Sequence, residues 1–491
     1  MNRKLVLTIL GFGLFFMGHA QNEECVKDFN YLVNKIKNDY PGYHDKVTKN
    51  TEKNLSELEL KLKKKIVENP DSCGKYLDEY TSWFKDDHLI VRGIRSNKHI
   101  GSGITPKPVQ IIIPLTNDSI TALSKKNKTL EGIWVSFRGS IAVKRMPGEN
   151  KYYGIVIHYQ GYEPNQVIYE FNSQDGHQFS MRSYSVYNNF KPVNGTASLF
   201  LEDKILEIHE DTRFIRQSSS TVYDHALLSS YLAQFPNGVN TYPLATYLDD
   251  STYYLRIPSF MDNEAETLIK IHWKEIMARP NLIIDIRNNG GGQDEYYQLL
   301  SALIYTSPYE SKGVEWYASE GNIHNFEEAL KTGELKHGEE GIKWTNELIT
   351  AMKKNVGGFV VHPMMGSDVI VKEDTVYPYP KRIGIIINEG NGSSAEQFIL
   401  EARESKKVVL FGNRNTAGVL DYSIRVNEDF PSGKYEFYWP MTRSRRLPEH
   451  PIDNIGIAPD VLIPFPETKQ LYNRLDDWVY FVKEYLEFIA P

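Results

Sequence analysis

Two cysteines in 491 residues exclude a disulfide-dense scaffold and leave one possible bridge, Cys25 to Cys73. After the amino-terminal stretch no apolar run approaches the roughly twenty residues a membrane helix needs, so stable membrane insertion is not expected. Blocks of like charge are missing as well. The net charge of −7 is spread along the chain, which argues against nucleic acid as a partner. No His, Cys, Asp and Glu have metal-ligand spacing, so neither a metal nor another cofactor is expected. The chain also lacks internal repeats and low-complexity segments, which excludes solenoids and long disordered linkers.

What is present begins with Asn2-Arg3-Lys4, an apolar core from Leu5 to Met17 and a small-residue end, Gly18-His19-Ala20. This is the pattern of a cleavable secretory signal over 1–20, so the mature chain is expected to be exported, periplasmic or extracellular. In such a compartment Cys25 and Cys73 can pair. The remaining length exceeds one ordinary core and predicts several domains.

Residues 21–103 read as a helical cap, with Leu32, Val33 and Ile36, then Leu55, Leu58, Leu62 and Ile66, at helical spacing. The cap ends at Asp86-Asp87-His88, followed by the apolar Leu89-Ile90-Val91. A histidine at an element end is a candidate base, and equally an ordinary structural histidine. Residues 104–222 change character. Short strands at 109–113, 133–137, 153–158, 167–171, 197–201 and 204–208, separated by Gly, Asn, Asp and Pro, predict an antiparallel sandwich or barrel. Its opening, Leu130-Glu131-Gly132-Ile133-Trp134, is similar to that of lipocalin-like barrels.

Residues 223–491 carry α/β periodicity, interrupted by a polar helical insertion at about 306–380. Tyr253 to Ile257 is a strand, and Asn263 with Glu266 reads as a capping box opening a helix that stops at Pro280. Leu282 to Ile286 is a buried strand running into Arg287-Asn288-Asn289-Gly290-Gly291-Gly292. No Lys-Ser/Thr follows the glycines, so a phosphate loop is disfavoured. A turn presenting N–H groups to an oxyanion fits better. The strand Ile383 to Ile387 leads through Asn388-Glu389-Gly390-Asn391-Gly392 to Ser393-Ser394-Ala395-Glu396. Ala395, Phe398, Ile399 and Ala402 form the buried face of a helix behind it. A serine there is either a plain N-cap or a nucleophile beside free N–H groups.

Taken together, Tyr254 to Phe260, Asp285 to Gly292, Ser393-Ser394-Ala395-Glu396, Thr416-Ala417-Gly418 and Asn454-Ile455-Gly456-Ile457-Ala458-Pro459-Asp460 resemble a known family. It comprises the carboxy-terminal processing peptidases, the tricorn core proteases and the interphotoreceptor retinoid-binding protein repeats. The resemblance covers about 241–470 plus the Asp86–His88 region. It implies a ClpP/crotonase-like α/β core and a serine endopeptidase acting on peptides or unfolded proteins. It makes Ser393 the nucleophile, with the adjacent Ser394 as the alternative. The oxyanion donors it implies are the Ser394 N–H and a glycine of the triple run, Gly291 favoured.

Processing peptidases place a lysine directly after the Thr-x-Gly glycine, where this chain has Val419. Tricorn-type members use a histidine from an upstream Asp-x-His segment and an acid before the Gly-x-x-Pro-Asp motif. That implies a triad of Ser393, His88 and Asp453, with Glu449 as the other candidate acid. The pattern of a PDZ domain is missing, so recognition of C-terminal tails is not carried over. The same core without catalysis, binding a small apolar ligand or a peptide, is the alternative. Oligomeric state is not legible.

Overall fold

The structure, a computed structural model, describes residues 10–93, 111–136, 138–149, 151–185, 190–209, 212–217, 225–235, 242–333, 338–364, 368–463, 471 and 475–488. Residues 1–9 of the expected signal and 94–110 around the expected cap boundary lie outside these. The first helix, Leu10–Asp39, packs with Glu52–Glu68 and Cys73–Ser82, and the Cys25–Cys73 disulfide ties the first to the third. Phe29, Leu32, Ile36, Leu62, Leu77 and Tyr80 form the cap's core, which also takes in Phe437 and Trp439. Those two aromatics belong to the strand Tyr435–Ser444, far along the chain. The cap therefore has no separate core; it folds onto the carboxy-terminal half.

Eight antiparallel strands between Gly132–Ser136 and Thr212–Gln217 close into a barrel, the last pairing with the first through Trp134↔Arg216. The sequence missed three of them, Gly139–Arg145, Gln178–Tyr184 and Thr212–Gln217. The strand expected at 109–113 lies partly outside the described residues, and Ile112 makes only an isolated bridge to Gln166. Trp134, Ile141, Val156, Phe171, Phe179 and Phe214 fill the interior. The Arg216 guanidinium lies 4.2 Å over the Trp134 ring. A barrel of this size filled by its own side chains is a packed core.

The α/β part is a six-stranded sheet. Thr252–Arg256, Asn281–Asp285, Arg382–Ile386, Val408–Gly412 and Val461–Leu462 run parallel, with Leu244–Tyr247 antiparallel at one edge. Alternation along the strands sorts the core into two layers. Leu282, Ile284, Ile383 and Ile385 face the helices Glu264–Met277 and Ser394–Arg403. Ile283 and Ile386 face Val479, Val482 and Leu486 of the helix Asp477–Phe488. A Cβ on Gly384 would sit 2.4 Å from Val482 Cγ1, which explains glycine there. The expected Asn263 capping box does not form; instead Asp262 Oδ1 accepts the Glu264 N–H at 3.0 Å.

The insertion after Ile304 supplies Val314–Tyr317 and Phe359–Val360 to a second sheet built on Tyr435–Ser444. Ile90–Gly93 joins that sheet, Ile90 opposite Tyr438. This pairing carries His88 across some three hundred residues of sequence to the carboxyl ends of the parallel strands, the usual site position in open α/β sheets.

Candidate active site

The strand Arg382–Ile386 ends in a loop knotted to its neighbours by asparagines. Asn288 and Asn388 exchange hydrogen bonds at 2.9 Å each, and the Ala417 N–H donates to the Asn391 carbonyl at 2.8 Å. Glu396, fully buried, receives the N–H groups of Gly418 and Val419 at 2.8 Å each, and the Ser393 N–H donates to the Val419 carbonyl at 2.9 Å. The Ser-x-x-Glu spacing thus clamps the 416–419 loop to the serine corner. Burial raises the Glu396 pKa and these donors pull it back.

Ser393 has φ 54° and ψ −125°, a conformation non-glycine residues rarely hold. The two serines divide their work. Ser394 Oγ donates to the Gly292 carbonyl at 2.9 Å, whereas among the described residues no hydrogen bond engages the Ser393 hydroxyl. Ser393 and His88 line one cavity of about 840 Å³, together with Gly290, Gly292, Arg425 and Arg446. Among the described residues no direct hydrogen bond joins them.

The glycine run meets the serine corner at van der Waals limits. A Cβ on Gly291 (φ 97°) would lie 2.7 Å from the Gly392 carbonyl oxygen and 2.8 Å from the Ser394 nitrogen. The Gly291 N–H itself donates to Asn289 Oδ1 at 2.9 Å. Phe260 forms hydrogen bonds with the residues flanking Gly292, Phe260 N–H to Gly291 O at 3.1 Å and Gln293 N–H to Phe260 O at 2.8 Å. In that ladder the N–H and C=O of Gly292 point away from Phe260, toward Ser394.

His88 is buried. Its own N–H donates to Asp86 Oδ1 at 2.8 Å, and its Nδ1, 3.7 Å from the same oxygen, has no hydrogen-bond partner. A hydrogen bond with the Tyr422 backbone steadies the ring. Burial lowers the imidazole pKa from 6.5, against the pull of Asp86, so the ring is neutral at physiological pH. Tyr40 donates to Asp86 Oδ2 at 2.7 Å, which is how the cap fixes the segment.

Asp453 does not line the cavity and makes no hydrogen bond to His88. Its Oδ1 accepts the N–H groups of Leu420 at 2.8 Å and Asp421 at 2.7 Å, and its Oδ2 is buried without a partner. Burial, with Asp86 and Asp421 nearby, pushes its pKa up to about 7. Asn454 Nδ2 donates to the Lys85 carbonyl at 2.8 Å, holding this loop against the histidine segment. Glu449 is exposed and outside the cavity lining. The structure thus gathers Ser393, Ser394, His88 and the glycine run, and puts Asp86 nearest the imidazole. Sequence reasoning passed over Arg425 and Arg446 in the cavity wall, since no motif marks either. Among the described residues no group of three or more His, Cys, Asp or Glu is placed to hold a metal, and no helix is long and apolar enough to cross a membrane.

A free hydroxyl at a strained corner, sharing one cavity with a neutral imidazole, is the equipment of a serine hydrolase. Comparison with known proteins narrows this: residues 251–463 match the model of Peptidase family S41. That stretch is similar to the peptidase domain of the family, and the chain is a serine peptidase, acting on peptide or protein substrates. Mature CPAF has a similar structure, with 14% identity and a TM-score of 0.50 over 95% of this chain and 97% of that one. CPAF complexed with lactacystin gives 15% identity and 0.50 over 96% and 98%. The tricorn protease is matched at 11% identity and a TM-score of 0.40, over 95% of this chain and 36% of that one. Comparison with curated proteins gives no match.

Proposed function

We propose that this chain is an exported, tricorn-type serine endopeptidase with a ClpP/crotonase-like core, hydrolysing peptides or unfolded proteins through Ser393, His88 and Asp453. The observation that carries the reading is the division between the two serines: Ser394 Oγ is bonded to Gly292, and Ser393 Oγ is left free in the cavity that His88 lines. In the proposed reaction the His88 ring leaves the Tyr422 backbone and turns Nδ1 to Asp453, so that Nε2 takes the proton as Ser393 Oγ attacks the scissile carbonyl. His88 then passes that proton to the leaving amine, and water hydrolyses the acyl-enzyme by the reverse sequence.

The developing oxyanion is assigned to the Ser394 N–H at the helix start and the Gly292 N–H. Gly291, the glycine favoured by resemblance, has its N–H engaged by Asn289, and its role becomes steric. Behind the base, His88 Nδ1 and Asp453 Oδ2 are both buried atoms without partners, and they are the pair expected to close when substrate binds. Asp86 steadies the histidine segment through its backbone. The filled barrel interior gives the ligand-binding alternative no support.

The test is labelling of the purified protein with a serine-reactive phosphonate, the adduct located by mass spectrometry. An adduct on Ser393 that is lost in His88→Ala supports the reading. An adduct on Ser394, or no adduct on a folded protein, removes it.

A further inference from the structure

Arg446 approaches the helix that starts at the nucleophile, its Nη1 3.5 Å from Oε1 of Gln397, which is four residues after Ser393. It lines the cavity that holds Ser393, yet its side chain is only 11% exposed. An arginine has five N–H donors, and buried ones are normally satisfied. Among the described residues this guanidinium has two side-chain partners, both at the long limit: Gln397 Oε1 and Asp421 Oδ1, each 3.5 Å away. Its Nε is buried with no hydrogen-bond partner among the described residues. Asp421 meets the guanidinium only through Oδ1 at the long limit, and its Oδ2 is turned to the N–H groups of Ile452 at 2.7 Å and Asp453 at 2.8 Å. Burial accordingly lowers the guanidinium pKa, though not enough to discharge it.

The carboxylates of the cavity lie elsewhere or are occupied. Asp87 adjoins His88, Asp294 is hydrogen-bonded with Ser394, and Glu389 pairs with Arg414 at 3.2 Å. The wall around Arg446 is instead made by Lys312, Val314, Gln397 and Ser444. Lys312 brings a second positive charge, held by Glu310 and Asp368 on its far side.

From this geometry we propose that Arg446 forms a carboxylate-binding subsite beside the scissile bond, so that the enzyme selects peptides carrying a carboxylate there. This rests on the serine peptidase reading above and names its substrate class. The carboxylate is either an Asp or Glu side chain or the free C-terminus of the peptide; both present the same planar acceptor to a guanidinium fork. A bound carboxylate completes the coordination the folded chain leaves open. Withholding it leaves the buried guanidinium with only its long contacts to Asp421 and Gln397 in the Michaelis complex, which is how a polar site rejects a neutral analogue.

The experiment uses quenched fluorescent peptides in which a single Glu or Gln is walked along the chain, each made as the C-terminal acid and the amide. They are cleaved by the wild-type protein, Arg446→Lys and Arg446→Met, with phosphonate labelling of Ser393 run alongside. For the wild type, kcat/KM is expected to be about 10- to 100-fold higher for the charged member of one matched pair. If that pair is Glu against Gln, the carboxylate is a side chain. If it is acid against amide, it is the C-terminus. The ratio is expected to shrink in Arg446→Lys and to approach unity in Arg446→Met. Equal wild-type cleavage of every pair with Ser393 labelled overturns this inference and leaves the peptidase reading standing. The wild-type comparison decides this even where a variant fails to fold. Failure of Ser393 to label overturns both.

Discussion

Replacing Asp453 by asparagine isolates the cost of a charge held in the wrong place. In the folded protein the Asp453 pKa is about 7 against an ordinary 3.8, because burial, Asp86 and Asp421 all oppose ionisation. A carboxyl whose folded pKa is raised contributes stability that is fully present below its unfolded pKa. That stability is lost as pH climbs through the folded value. The window therefore runs from about pH 4 to pH 7. At 1.36 kcal/mol per unit, the full loss has a ceiling of about 4 kcal/mol, more than half of which accrues between pH 5 and pH 8. The Asp453→Asn side chain keeps a carbonyl oxygen to accept the Leu420 and Asp421 N–H groups and carries no charge.

Any cost of its extra amide is constant with pH and drops out of the slope. The assay is urea unfolding followed by tryptophan fluorescence at pH 5, 6, 7 and 8 on both proteins. The variant is expected to gain on the wild type steadily across this range, by at least about 1 kcal/mol after allowance for solvent screening. Its peptidase activity is expected to fall at every pH. A stability difference that does not change with pH would refute the account of Asp453 as a buried, repelled carboxyl.

Three further perturbations test other parts of the structure. Gly291→Ala puts a Cβ 2.7 Å from the Gly392 oxygen at a φ of 97°. It is expected to cost about 1–3 kcal/mol by thermal melting and at least about tenfold in kcat, as the serine corner is pushed away from the glycine run. Asp285 is fully buried, with Arg256 at 3.0 Å and Arg287 at 2.7 Å, and both arginines hold its pKa well below the usual range. Asp285→Ala leaves the buried Arg256 without its carboxylate and Arg287 with Asp476 alone, and is expected to lose about 3–5 kcal/mol or fail to fold, read by urea midpoint or soluble yield. Removing the Cys25–Cys73 bridge, which closes a 48-residue separation, is expected to cost about 4 kcal/mol in the chain-entropy picture. Because the cap core continues through Phe437 and Trp439, that loss should appear in the unfolding of the second sheet, measured by hydrogen exchange.

Local signals made the parallel sheet readable. Buried β-branched runs such as Ile385 to Ile387 leave few alternatives, and glycine and serine corners mark where they end. The same holds for the serine corner, since motif, helix face and loop agree there. What the sequence could not convey was contact between distant segments. His88 reaches the cavity only because Ile90–Gly93 pairs with Tyr435–Ser444 and Tyr40 holds Asp86. No spacing rule encodes that pairing. Arg446 carries no local signal, because its significance lies in the partners it lacks. Three barrel strands were passed over because serines, arginines and glutamines interrupt their apolar alternation, and closure supplies what pattern does not. The Asn263 capping box does not form: the Asn263 side chain makes no cap hydrogen bond, and Asp262 caps the helix start instead through the Glu264 N–H.

A crystal structure of the protein inactivated by a peptidyl phosphonate tests the central claim most directly. The account expects phosphorus on Ser393 Oγ and a phosphoryl oxygen within about 3 Å of the Ser394 and Gly292 N–H groups. It also expects His88 Nδ1 to be hydrogen-bonded to Asp453 Oδ2. Phosphorus on Ser394, or a phosphoryl oxygen turned to solvent with His88 still held only by Tyr422 and Asp86, would contradict it.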